Sequence, residues 1–211
     1  MHLRAPAILC AVRAHGETGA VIRLLSAEHG LFAAYCAGAR GRRLRPVLIP
    51  GNVLDTEISA RSTSQLPFAR VELVESRGPW LGEPLASAAI NWACALTATA
   101  LPEGHLYPAL YEALGGLLDA ICQAPSARGW SRALAAYEAL LLRELGYGGS
   151  SRDPGDDWPA IHDCLQRLGE ALESRLLADR GLAGRRGDVM AARSILIERL
   201  RRIAPTELDT L

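Results

Sequence analysis

An α+β chain is the fold this sequence predicts, with a small five-stranded barrel over residues 1–78 and an all-helical domain over 79–211. Three observations predict it. Five short apolar runs, each bounded by turn-forming residues, fall within the first 78 positions. The composition changes at Gly78-Pro79-Trp80, beyond which β-branched residues thin out and Ala and Leu dominate. A formal net charge of zero conceals an asymmetry: residues 1–80 carry ten arginines against six acids, and residues 81–211 carry thirteen against seventeen. Such an imbalance points to two modules with different partners, the basic one suited to nucleic acid.

The strands follow in order. Ala7 to Val12 is an apolar run that ends at the turn-rich His15-Gly16-Glu17-Thr18-Gly19. Ala20 to Leu25 leads to Glu28-His29-Gly30, a tight connection whose glycine can take a positive φ. Leu31 to Ala37 is the third run. Pro46 and Pro50-Gly51-Asn52 punctuate the chain before the fourth, Val53 to Ala60. Phe68 to Glu75 alternates, with Arg70 and Glu72 on one face and Val71 and Leu73 on the other. Five short strands in so little chain suggest closure into a barrel, which leaves no exposed edge.

Helices are expected over 84–100, 108–123, 127–146, 158–179 and 189–203. Pro108 sits where a first-turn proline is tolerated. Ser126 is placed to cap the third helix, in which Leu134, Tyr137, Leu141 and Leu145 share a face, and Gly146 ends it. The stretch from Pro84 to Pro102 carries no charge and approaches membrane-spanning length. Its Ala, Ser and Thr content, Asn91 and the bounding prolines make it a buried core helix instead.

Between the third and fourth strands lies Gly38-Ala39-Arg40-Gly41-Arg42-Arg43-Leu44-Arg45, with four arginines in eight residues. The glycines make it a loop. Four guanidinium groups this close repel one another unless something anionic lies nearby, so Arg40, Arg42, Arg43 and Arg45 are the candidate phosphate binders. Arg13 and Arg23, on neighbouring strands, are candidates to extend that surface. Every basic residue is Arg and none is Lys, which supplies planar forks that grip phosphate bidentately and stack on bases. Aromatic residues make up 5% of the chain. The basic module offers Phe32, Tyr35, Phe68 and Trp80, several of them expected in the core, so arginine is expected to carry most of the binding and sequence preference to be weak.

Other chemistry is missing. The glycines lack the Lys-Ser/Thr pair of a phosphate-binding loop, no serine sits in a nucleophile elbow, and the carboxylates read as solvated helix faces. An enzyme is not expected. The five cysteines (Cys10, Cys36, Cys94, Cys122, Cys164) are far apart without a CxxC pair, as expected of buried thiols in a reducing cytoplasm. His162-Asp163-Cys164 clusters potential ligands, but adjacent side chains on a helix diverge. No metal or other cofactor is expected. The N-terminal apolar run is broken by Pro6 and Arg13, unlike a secretory signal.

Three segments together resemble the RecO family of recombination mediators. Gly16-Glu17-Thr18-Gly19, Glu28-His29-Gly30 and Gly38-Ala39-Arg40, each next to a strand and the last opening the basic loop, look like that family's N-terminal domain. Tyr137-Glu138-Ala139-Leu140-Leu141-Leu142-Arg143-Glu144-Leu145-Gly146-Tyr147-Gly148 is similar to its central helix, and Ala192 to Leu200 to its final helix. The resemblance implies an oligonucleotide/oligosaccharide-binding (OB) barrel followed by a helical domain. It also implies a cytoplasmic role in recombinational repair: binding and annealing single- and double-stranded DNA, partnering RecR, and docking on the C-terminal tail of single-strand-binding protein so that RecA loads.

Two departures stand out. Many members carry a four-cysteine zinc module after Leu-Gly-Tyr-Gly, whereas Gly149 to Trp158 holds no cysteine. A basic residue often precedes the aromatic-Glu pair of the central helix, and here Ala135-Ala136 stands there. If that residue holds the acidic tail, Arg132 or Arg143, about three turns apart on one side of the helix, are the alternatives. Two other classes compete: an RNA-binding factor on the same barrel, separated by competition between DNA and RNA, and a purely protein-interacting module, separated by the absence of salt-sensitive binding to single strands.

Overall fold

The structure, a computed structural model, describes residues 2–60, 65–124, 126–148, 153–178 and 183–208. Five strands come first: β1 (His2–His15), β2 (Gly19–Ser26), β3 (Gly30–Cys36), β4 (Val53–Ser59) and β5 (Phe68–Glu75). Five helices follow: α1 (Pro84–Ala100), α2 (Pro108–Gln123), α3 (Ala127–Glu144), α4 (Trp158–Ala171) and α5 (Ala183–Leu208). Two compact units result. Residues 1–82 and 101–112 form one, and 83–100 with 113–211 the other. The sequence reading divides the chain once, between 78 and 79, whereas the units interleave, because the segment after α1 returns to the barrel. There Gly104 N donates to Leu31 O at 3.0 Å, and Leu31 bridges to Glu103.

The strands close as β1-β2-β3-β5-β4, antiparallel throughout except for the β3–β5 contact. β1 is longer than its apolar run suggested, because it serves two neighbours. Its first half, His2 to Ile8, pairs with β4, and its second half, Ile8 to His15, pairs with β2. The register slips between Leu9 and Ala11, and the extra residue bends the strand from one partner to the other. The barrel core is filled by Leu3, Leu9, Ile22, Leu24, Ala34, Leu54 and Ile58 from successive inward positions. β5 fits the expected alternation only in part. Ala69 is buried and Val71 packs on the core, but Leu73 and Val74 are 42% and 63% exposed. Gly30 sits at φ +66° with His105 O 1.9 Å from where a Cβ would lie, so the β2–β3 turn admits no side chain there.

The helical unit matches the expected helices with three differences. Ser126 is extended before α3 but makes no side-chain cap, whereas Asp157 caps α4 by accepting from Ala160 N at 3.0 Å. The fourth helix passes into a π turn at Leu172–Leu176. The fifth begins earlier and ends later than its apolar pattern. α1 packs against α5, and α3 against α4. Twelve residues of α1 are buried, Trp92 completely, as a core helix requires. Among the described residues no helix is long and apolar enough to cross a membrane.

One expectation is overturned here. The carboxylates were expected to be solvated, yet Glu138 is fully buried. It accepts from Trp92 Nε1 at 2.8 Å and, through Oε2, from Arg193 Nη2 at 2.9 Å. A buried charge persists only when paired and hydrogen-bonded, and these two donors from α1 and α5 meet that need.

Candidate nucleic-acid interface

The arginine loop is held far more firmly than its glycines suggest. Residues 41–48 coil into successive turns, with Arg45 N donating to Gly41 O at 3.1 Å and Leu48 N to Leu44 O at 2.9 Å. Ala39, Leu44 and Leu48 enter the barrel core at 6–8% exposure. Leu44 therefore anchors the segment from inside, while Arg42, Arg43 and Arg45 around it stay exposed. Asn52 ties down the far end. Its Nδ2 donates to Val47 O at 2.9 Å and to Pro46 O at 3.3 Å, and its Oδ1 accepts from Arg77 N at 2.7 Å. At the near end Arg40 N donates to Thr18 O, and Arg40 Nη1 to Glu17 O, both at 3.2 Å. The loop is thus stitched to the β1–β2 hairpin turn.

That stitching brings Arg13 to the same end of the barrel. Arg13 lies opposite Val21 in the register, Val21 opposite Tyr35, and Tyr35 opposite Phe68, so all four side chains share one outer face. Arg13, Arg42, Arg43 and Arg45 are exposed and form no ion pair among the described residues. Arg23 differs. It lies further along β2, its side chain is 16% exposed, and Nη2 is 2.9 Å from Glu103 Oε1. Its charge is already answered within the unit. Four exposed guanidiniums that pair with no carboxylate among the described residues make a surface that anions would occupy.

The neighbouring wall has the opposite character. A groove of about 980 Å³ is lined by Arg4, Arg43, Arg70, Asp55, Glu57 and Glu72, among others. Arg4 is spent on Asp55, with Nη2 2.6 Å from Oδ2, and this bond holds the Asp55 carboxyl below its ordinary range. The carboxylates of β4 and β5 make that wall less favourable to an anion than the hairpin-and-loop end, although Arg43 and Phe68 stand on its rim.

The aromatics of the basic module divide between core and surface. Phe32 packs against the core, but Phe68 is 56% exposed. Tyr35 lies on the backbone of Gly19, where a Cβ would come within 2.3 Å of its Oη. His15 and Phe68 flank Tyr35 edge-on, with ring centroids 5.9 and 5.2 Å away. The signal that His15 belongs here was its place opposite Gly19 across a tight hairpin, a register only the fold reveals.

In the helical unit Arg132 and Arg143 are differently committed. Arg132 Nε is 2.9 Å from Asp153 Oδ1 and Nη1 is 3.2 Å from Asp156 Oδ1. Arg143 is 68% exposed and lies 3.8 Å from Glu144. His162 accepts from Arg201 Nε at 3.3 Å, whereas Cys164 is buried and Asp163 exposed, so the three do not converge. Among the described residues no group of three His, Cys, Asp or Glu side chains is placed to hold a metal ion.

A closed barrel in the order β1-β2-β3-β5-β4 with a basic end, joined to a helical unit, defines an OB-fold protein of α+β class. Residues 1–77 match the family model described as Recombination protein O N terminal, and residues 81–151 match Recombination protein O C terminal. The chain belongs to the RecO family. It is 38% identical over 149 residues to a protein named DNA repair protein RecO from Phenylobacterium zucineum (strain HLK1), covering 70% of this chain and 60% of that protein. A protein of the same name from Ruegeria sp. (strain TM1040) is 41% identical over 149 residues, covering 70% and 61%. Another, from Rhodospirillum centenum (strain ATCC 51521 / SW), is 39% identical over 143 residues, covering 67% and 56%. The match thus spans about three-fifths of the length of these relatives.

Proposed function

We propose that this chain is a non-catalytic DNA-repair protein of the cytoplasm that binds and anneals DNA through the hairpin-and-loop end of its barrel. The observation that carries this reading is the set of exposed guanidiniums of Arg13, Arg42, Arg43 and Arg45, which form no ion pair among the described residues. Arg40, whose guanidinium reaches Glu17 O, joins them at the same end. Arg23 contributes little, because Glu103 already neutralises it. Family membership and the names of the relatives support a place in recombinational repair. In that scheme the chain works with RecR and the single-strand-binding protein tail to help load RecA.

For the acidic tail, an arginine fork beside an apolar helix face is the required chemistry. Arg143 is the freer of the two candidates, since Arg132 must first release Asp153 and Asp156.

Titration of a single-stranded oligonucleotide at several salt concentrations tests the binding reading. About four neutralised phosphates predict a log–log slope near −3, and Arg42→Glu with Arg43→Glu weakens binding to all sequences alike. Unchanged affinity in that double variant refutes the assignment. Titration of a fluorescent tail peptide tests the docking role, which fails if Arg132→Ala and Arg143→Ala each bind as wild type does.

A further inference from the structure

The aromatic row His15–Tyr35–Phe68 is left unexplained by phosphate binding. A large apolar ring on a barrel exterior is costly to leave in water, and Phe68 stands 56% exposed. It is not isolated. It contacts Tyr35 edge-on at 5.2 Å, and Tyr35 contacts His15 in the same way at 5.9 Å. The row crosses β5, β3 and the end of β1, and it is built on a fixed base. Tyr35 rests on Gly19, a position where any side chain would collide with its ring. Ring contacts in both directions hold its orientation, so little freedom remains to be lost on binding.

The position of the row matters as much as its composition. Arg13 shares its face through the Arg13–Val21–Tyr35–Phe68 register. Arg40 is bonded to Glu17 and Thr18 in the hairpin turn that His15 enters. Phe68 and Arg43 line the same groove. Cations that grip a backbone therefore border rings that accept flat π surfaces. A duplex keeps its bases stacked inside and presents only phosphate and groove edges, whereas a single strand offers free base faces.

We propose that His15, Tyr35 and Phe68 form a base-stacking platform, and that it gives this barrel a preference for unpaired strands over duplex. The proposal rests on the reading that the arginine end binds nucleic acid, and it adds the element that reads the unpaired state. Phe68 is the principal contact because it is an exposed, wholly apolar ring, His15 lies at the hairpin end, and Tyr35 is the positioning residue between them.

The test compares an oligothymidylate with an abasic strand of equal length, which carries the same phosphates and no bases. Each probe is titrated against the full chain by fluorescence anisotropy, with a duplex of the same length alongside. Wild type should favour the base-bearing strand by roughly five- to a hundredfold for each stacked base. His15→Ala with Phe68→Ala should abolish that preference while leaving affinity for the abasic strand and the duplex unchanged, which also reports an intact fold. Phe68→Leu, which keeps the bulk and removes the π face, should lose most of it too. Equal binding of the two strands by wild type overturns the platform and leaves phosphate binding standing. Retention of the full preference in the double variant places stacking elsewhere and also overturns it. Failure of wild type to bind any probe removes the nucleic-acid reading and the platform together.

Discussion

Replacing Arg193 by Met should unfold the helical unit far more readily than its place in the final helix suggests. Arg193 is 6% exposed and reaches from α5 into the centre of the unit. Its Nη2 donates to Glu138 Oε2 at 2.9 Å and to Leu165 O at 2.5 Å, and its Nε to Glu138 Oε1 at 3.3 Å. The guanidinium also lies 5.6 Å from the Trp92 ring centroid. Gly169 makes room for it, since a Cβ there would sit 2.3 Å from Nη1. Arg193→Met leaves Glu138 buried with its charge answered, among the described residues, by Trp92 alone. Breaking a buried pair from one side costs about 3–5 kcal/mol. With a urea dependence of about 2 kcal/mol per molar, the midpoint should fall by roughly 2 M. Tryptophan fluorescence follows this unit, because Trp92, Trp130 and Trp158 all lie within it. Glu138→Leu combined with Arg193→Met removes both charges and should be less damaging than either single change. It still forfeits the hydrogen bonds of Trp92 Nε1 and Leu165 O, at about 1 kcal/mol each. A wild-type midpoint in Arg193→Met would refute the reasoning, as would a double variant as unstable as the two singles combined.

Two further outcomes follow from the geometry. Cys122 is half-buried while Cys10, Cys36, Cys94 and Cys164 are buried, with the Cys10 thiol pushed up to about 12 by burial. A native-state thiol titration should find one fast-reacting group per chain and four that react only on unfolding; four fast groups would contradict the packing. The Asp55 carboxyl, held by the Arg4 hydrogen bond and charge, should titrate below its ordinary value of 3.8. A depressed folded pKa contributes stability that is present above the unfolded value and lost as pH falls through the folded one. An NMR titration should show the low midpoint, and Arg4→Gln should restore it. An ordinary midpoint in wild type would mean the β1–β4 clasp does not form in solution.

The strands and helices were legible because each carries its own periodicity. The runs 20–25, 31–37 and 68–75 became β2, β3 and β5 with ends within about a residue, and 84–100 and 108–123 became α1 and α2. β1 was under-read, since its continuation to His2 depends on a second partner, β4, that no local pattern announces. The arginine loop was also legible as a charge cluster, because four like charges in eight residues are conspicuous without any structure.

Tertiary structure decided which of those charges are available and what lies beside them. Arg23 and Arg42 are equivalent as letters, yet one is answered by Glu103 and the other by nothing among the described residues. Glu138 and Arg193 each look like a solvated helix charge, and they meet only when α3 and α5 are brought together across 55 residues of chain. His15, Tyr35 and Phe68 come from β1, β3 and β5, strands that sequence distance keeps apart; the barrel makes β3 and β5 neighbours and brings the end of β1 to Tyr35 across β2. Periodicity is a property of neighbouring residues and survives in the bare sequence. Charge pairing and ring contact depend on distances of a few ångströms between residues far apart in the chain, and the closed barrel and the packed helices set those distances.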